Sequence, residues 1–296
     1  MNSAHNSQNH MSVPLCSAFC VLAFCTQAFP QGALHPSNLD YPVMISVAGR
    51  TGTGFFVTDS DSVHWYLVTA RHVLFKDTAA RHLWGPSAMV SGYAAGQRYE
   101  FQANLDSLLT DGLLKADTGH DVAVARCGTL SFKSEGGVCT WYRRHLRRSV
   151  GGKLRITVVK WDMLRTYDQV LVGNDVFVFG FPRNLGLRGL PEIDSDRPLV
   201  HKGIVAGSNP SMRTLIIDAA VYPGNSGGPV IEVEEGDLPF NDTFVLIGVV
   251  TEYVPFEDVW HDITRDYMNR TISTSDYSIV EPMDPVIDII QKWRKK

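Results

Sequence analysis

The sequence is poor in cysteine: there are five in 296 residues, and three of them, Cys16, Cys20 and Cys25, lie near the N-terminus. A disulfide-built scaffold is therefore excluded. Cys127 and Cys139 remain, separated by 11 residues and not spaced as part of a zinc site. They form either one disulfide or two free thiols. Charge of one sign is also lacking: 27 Lys and Arg stand against 31 Asp and Glu, a formal net charge of −4. Nucleic acid is not expected as a partner. Outside the N-terminal segment no apolar run is long enough to span a bilayer, so the mature chain is expected to hold no stable membrane span. No repeat of 20 to 50 residues is present, which excludes a solenoid or propeller. No metal site is expected.

No Lys or Arg precedes Arg50. Residues 1–33 nevertheless read as a signal or leader segment. Val13 to Phe29 is apolar with small residues, and Ala28 and Ala33 offer cleavage positions. This implies an exported protein, periplasmic or secreted. The missing positive n-region leaves an unprocessed apolar tail or short anchor as the alternative. Phe24, directly before Cys25, argues against a lipoprotein processing box.

With 44% hydrophobic residues, the chain suffices for one large all-β domain or two small barrels. After a linker over 34–42, short β-branched or aromatic runs bounded by Gly, Asp or Ser follow one another. They are Val43 to Ala48, Gly52 to Thr58 and His64 to Ala70. Ser87 to Tyr93 and Gln97 to Ala103 read as a hairpin around Ala94-Ala95-Gly96. His120 to Ala125 is a further strand. Residues 128–172 are the least readable, with a strand-like run from Lys153 to Leu164. Arg143 to Arg148 holds four arginines in six positions, a solvated loop or helix face, or a contact for an anionic partner. Strands resume at Asn174 to Pro182, Leu199 to Ala206, Arg213 to Ala219 and Phe244 to Thr251. Residues 255–276 read as a polar loop. Val286, Ile289, Ile290 and Trp293 fall at i, i+3, i+4 and i+7, an amphipathic helix that Pro285 starts.

One stretch stands apart: Pro223-Gly-Asn-Ser-Gly-Gly-Pro229. Three glycines allow positive φ and close backbone approach, and the prolines fix the flanks. Such a turn exposes the Ser226 hydroxyl and leaves backbone N–H groups free, the parts of an acyl-transfer site. The plain alternative is a glycine-rich turn and nothing more. Gly224 to Gly228 also fits the G-x-S-x-G nucleophile elbow, but that needs a following helix and a later histidine. Pro229 and β-branched residues follow instead, and only His261 lies downstream. Upstream, His72 closes the third strand and Asp121 heads a strand. Asp111 and Asp117 compete with Asp121 but sit in polar loop sequence.

His72, Asp121 and Ser226 stand in the order of the chymotrypsin-like serine peptidases, which the sequence resembles. It is most similar to the bacterial HtrA-type branch. The matching pieces are Thr51-Gly-Thr-Gly-Phe55, Leu67-Val-Thr-Ala-Arg-His-Val73, His120-Asp-Val-Ala-Val124, Asp175-Val-Phe-Val-Phe-Gly-Phe-Pro182, Lys202-Gly-Ile-Val205 and Asp218 to Val230. The resemblance covers 43 to 293 in outline, with 128–172 unmatched. It implies two six-stranded antiparallel β-barrels followed by the C-terminal α-helix. The peptidase domain would span 43–296: a first barrel over 43–127, an insertion over 128–172, a second barrel over 173–281 and the helix over 285–295. It further implies a serine endopeptidase acting on protein or peptide substrates through His72, Asp121 and Ser226, without cofactor. The backbone N–H groups of Gly224, Asn225 and Ser226 would form the oxyanion hole. Ala220 would be the base of the specificity pocket, with Val250, Thr251 and Glu252 as its wall. An alanine base suggests small or medium apolar side chains, unless Glu252 points into the pocket. Only 45 residues follow Thr251 (296 minus 251), too few for the appended PDZ domain of many HtrA-type relatives. A non-catalytic binding protein on this fold and an esterase are the rival readings.

Overall fold

The computed structural model describes residues 34–131, 138–141, 144–148, 155–183, 190–234, 242–262, 264 and 267–295. The leader expected at 1–33 lies outside them. No helix among the described residues is long and apolar enough to cross a membrane.

The β-branched and aromatic runs of the first half form one curled antiparallel sheet. Its long strands are β1 (Pro42–Val47), β2 (Arg50–Thr58), β3 (His64–Ala70), β4 (Ser87–Ala94), β5 (Gln97–Asn104) and β7 (Val122–Ser131). Three short strands add to them: β6 (Leu114–Ala116), β8 (Val138–Trp141) and β9 (Leu146–Arg148). The order is β6-β7-β3-β2-β1-β4-β5-β9, with β8 beside β7. The Ala95 and Gly96 turn expected between β4 and β5 has φ of 50° and 73°. Phe56, Trp65 and Phe101 meet at the centre of this half, with Phe56 and Trp65 edge-to-face at 5.1 Å. Such aromatic pairs stabilise beyond their area burial.

The second half closes into a six-stranded barrel: β10 (Asp175–Gly180), β11 (Leu199–Asn209), β12 (Thr214–Asp218), β13 (Pro229–Glu234), β14 (Thr243–Asp262) and β15 (Tyr267–Pro282). Together the two curled sheets are a double β-barrel. Val176, Val178, Val230, Ile247 and Val280 fill the second one.

Three expectations change. Residues 155–164 are not a strand; they cross between the barrels as a seam. Val159 bridges Val57, Leu164 bridges Leu246, and Trp161–Met163 is a turn of 3₁₀-helix. Leu146 to Arg148, in the arginine cluster, is a strand paired to β5, with His145 buried beside it. Residues 255–276 are no loop: β14 and β15 continue as a paired ribbon from Pro255↔Thr274 to Asp262↔Tyr267. Of the two readings of Cys127, the free thiol holds. Burial raises its pKa to about 12. The side chain of Cys139 lies outside the described residues.

After α1 (Arg71–Leu74) and α2 (Leu105–Thr110) in the first half, helix α3 (Asp284–Arg294) follows β15 but beds on the first sheet. Trp293 stacks on Tyr66 of β3 at 5.7 Å, and its Nε1 donates to Gly112 O at 2.9 Å. Arg294 pairs with Asp61 at 2.7 Å.

Candidate functional site

The serine turn joins β12 to β13 and is gripped from the first barrel. Gly227 has φ +89°, and a Cβ there would lie 2.1 Å from Thr53 O. Gly224 has φ +102°, with Phe181 O at 2.3 Å from a built Cβ. Only glycine fits positive φ with such close approach. Thr53, fully buried, holds the turn. Its Oγ1 donates to Gly224 O at 2.7 Å and accepts from Phe181 N at 3.1 Å, while its N–H donates to Ser226 O at 2.8 Å. Thr53 is a site residue to which no candidate motif assigns a role. The signal was there, a threonine between Gly52 and Gly54.

These contacts orient the peptide planes. Pro223 O accepts from Arg183 N, and Asn225 O from Gly228 N, each at 2.8 Å. In a trans peptide the N–H points opposite to the C=O. The N–H groups of Gly224 and Ser226 therefore turn away from those contacts, and neither has a partner among the described residues. Asn225 does not join them, contrary to expectation: its N–H donates to Tyr222 O at 2.9 Å, closing the turn. The turn runs into a strand, so the nucleophile-elbow reading fails. His261 lies on the β14–β15 ribbon, opposite Met268.

His72 sits on α1 (Arg71–Leu74), the single helical turn after β3. Its Nδ1 meets Asp121 Oδ2 at 2.5 Å, and its backbone N–H donates to Asp121 Oδ1 at 3.0 Å. A carboxylate only accepts, so Nδ1 carries the proton and Nε2 keeps its lone pair. Burial would raise the Asp121 pKa. The His72 ring and amide hydrogen bonds and the Arg71 charge outweigh it and hold the carboxyl below its ordinary value. Arg71 Nε is 3.7 Å from Asp121 Oδ1, and its Nη1 donates to the carbonyls of Asp117 and His120. The competing acids are engaged elsewhere: Asp117 with the Gly119 and His120 N–H groups, Asp111 with His145.

His72, Asp121, Gly224 and Ser226 line one cleft of about 700 Å³. Ser226 Oγ donates to Thr251 O at 3.4 Å. Of the expected pocket wall, Thr251 and Glu252 line this cleft. Val250 does not: its side chain is fully buried in the second barrel, and its backbone bonds Gly227 and Gly228. The reason is a bulge between Val250 and Glu252, which brings the next two residues to the cleft. Ala220 is half-buried, and its neighbours Val221 and Tyr222 line the wall.

Glu281, on β15, also reaches the site without a local sequence signal. Its Oε1 accepts the Asp121 N–H at 3.3 Å, and its Oε2 is buried without a partner among the described residues. Burial raises its pKa, and the Asp121 carboxylate adds to this; the Asp121 amide, His120 and Arg71 oppose without cancelling it. The folded chain then holds this proton to higher pH than the unfolded chain. Stability falls as pH rises from the ordinary carboxylate range, about 4, through the raised value. Glu281→Gln is expected to melt above wild type at about pH 7.5 and level with it at about pH 4, by thermal circular dichroism.

Fold and grouping define the chymotrypsin-like double-barrel class. The chain belongs to the trypsin-like peptidase domain family, whose model matches residues 52–238. No curated protein sequence matches it. Among solved structures it is similar to human heparin binding protein, with a TM-score of 0.50 at 11% identity, over 88% of this chain and 93% of that one. It also matches the HtrA-type protease AlgW with tripeptide, TM-score 0.45 at 17% identity, over 86% of this chain. The match spans 60% of the AlgW chain's length. Rv3671c from M. tuberculosis H37Rv matches at TM-score 0.41 and 17% identity, over 87% and 88%. At 11% identity the likeness to heparin binding protein is one of fold.

Proposed function

We propose that the protein is a serine endopeptidase working through an acyl-enzyme. One observation carries the reading: the His72 ring is tied to Asp121 at Nδ1, with Ser226 in the same cleft and the Gly224 and Ser226 N–H groups without a partner among the described residues. As a peptide carbonyl enters, Ser226 Oγ turns from Thr251 O toward His72; ligand-free sites often hold such contacts loosely. His72 Nε2 takes the hydroxyl proton while Oγ bonds the carbonyl carbon. The oxyanion is met by the two N–H donors, each worth about 10²–10³ in rate. The imidazolium, stabilised by Asp121, gives its proton to the leaving amine as the C–N bond breaks. Water, deprotonated by the same imidazole, then releases the acid and restores Ser226.

Fluorophosphonate labelling followed by mass spectrometry tests this. One adduct is expected, on the peptide containing Ser226, and an unfolded protein should be cut at internal bonds. Labelling with hydrolysis of short esters alone would make it an esterase. Absence of labelling would make it a binding module.

A further inference from the structure

Past Tyr253 and Ser278, β14 and β15 leave the barrel as a two-stranded arm. Such a ribbon is only marginally stable alone, yet this one carries large apolar side chains in water. Phe256, Trp260 and Tyr267 are 56%, 49% and 55% exposed. The register puts these three on one face, where the Trp260 and Tyr267 rings meet edge-on at 6.4 Å. Val259, Met268 and Ile272 take the other face and are equally exposed. Exposed apolar surface of this extent marks an interaction site.

The arm is also acidic. Residues 252–276 contain six acids (Glu252, Glu257, Asp258, Asp262, Asp266, Asp276) and two arginines (Arg265, Arg270), so 2 − 6 = −4. Arg270 is already paired with Glu257. Glu252 and Asp258 are exposed and have no cationic partner among the described residues.

The arm is continuous with the cleft. β14 pairs with β13 as far as Val249. The next residues are Thr251, whose carbonyl accepts from Ser226 Oγ, then Glu252 and Tyr253 in the cleft wall. Beyond Val250 no described strand pairs with β14 on that side. An open strand edge thus runs from beside the nucleophile out along the arm, interrupted by the bulge before Pro255. From Thr251 to Asp262 it spans about 37 Å at about 3.4 Å per residue.

Resting on the peptidase reading above, we infer that the arm is a docking platform for the substrate polypeptide. Its occupant is an extended segment flanking the scissile bond, rich in both apolar residues and Lys or Arg, since Asp258 shares the face of Phe256 and Trp260. The open edge supplies main-chain hydrogen bonds, as in strand addition. The aromatic face takes the apolar side chains, and the acids take the basic ones. Selectivity then lies well outside the cleft, and short peptides miss it.

The test uses the full chain carrying Ser226→Ala, so that binding is read without turnover. The probe is a fluorescent peptide of about fourteen residues, rich in Lys and in Phe or Leu. It is compared with a tetrapeptide and with an acidic peptide of equal length. One variant replaces residues 256–273 by an Asn-Gly turn, joining Pro255 to its partner Thr274. A milder one, Asp258→Lys with Trp260→Ser, keeps the arm. Circular dichroism and Tm report folding. Anisotropy should give at least about tenfold weaker binding of the long basic peptide in both variants. Tetrapeptide binding should stay equal, and the acidic peptide should bind weakly throughout. Unchanged affinity for the long peptide overturns the inference. So does a dimer that sedimentation velocity shows falling apart without the arm, which would make a second copy the occupant. Loss of binding to neutral phospholipid vesicles on arm removal, with peptide affinity unchanged, also overturns it. If the active chain never labels with fluorophosphonate but the arm still captures the long peptide, the peptidase reading fails and the docking surface stands.

Discussion

Ser226→Ala is expected to lower kcat by about 10⁶-fold, the loss seen when a nucleophile of this kind is removed elsewhere. The fold should survive. Ser226 has an ordinary negative φ, and its backbone bonds to Thr53 do not involve the hydroxyl. Only the weak 3.4 Å contact to Thr251 O is lost. Circular dichroism and Tm should therefore match wild type, while substrate affinity is kept. The N–H groups of Gly224 and residue 226 persist in the variant, so turnover should remain about 10³-fold above the water reaction. A variant retaining a tenth of wild-type kcat would remove Ser226 from the chemistry.

Asp121→Asn is expected to cost about 10⁴ in kcat, with KM little changed. The substitution is isosteric, and its amide oxygen can still accept the His72 backbone N–H. What it removes is the acceptor at Nδ1. An amide NH₂ facing Nδ1 at this distance forces the proton to Nε2, where it cannot take the Ser226 hydroxyl proton. In wild type the Asp121 carboxyl is held below its ordinary value. It stays ionised above about pH 4, and the stability it contributes is lost only as pH falls through its depressed pKa. The variant should therefore lack that acid-side loss of stability. Stopped assays of kcat and KM, with melting between about pH 2 and 7, check both halves. An unchanged kcat would show that the ring needs no carboxylate.

His72, Asp121 and Ser226 line one cleft, and each carried a signal that is local and chemical. A serine among glycines, a histidine at a strand end and an acid heading a strand are legible one residue at a time. The barrel strands were legible for a similar reason: one buried face selects β-branched and aromatic residues. The arm escaped because both of its faces meet water. Ser, Thr, Asp and Asn are interspersed with Phe256, Trp260 and Ile272, so no buried period marks it. The Asn225 N–H and the Val250 side chain depend on a turn closure and a bulge, which are set by partners elsewhere in the chain. Thr53 and Glu281 act through neighbours 171 and 160 positions away, a relation no local pattern carries.

The bedding of helix α3 on the first sheet bears on how the molecule is made. A ribosome delivers the first sheet long before residues 284–294 emerge, so Tyr66 and the Gly112 carbonyl wait uncovered while the second barrel is synthesised. The tie that helix α3 adds to the first sheet forms only when Trp293 arrives. A nascent chain is thereby held short of its finished geometry until nearly all of the domain has been translated.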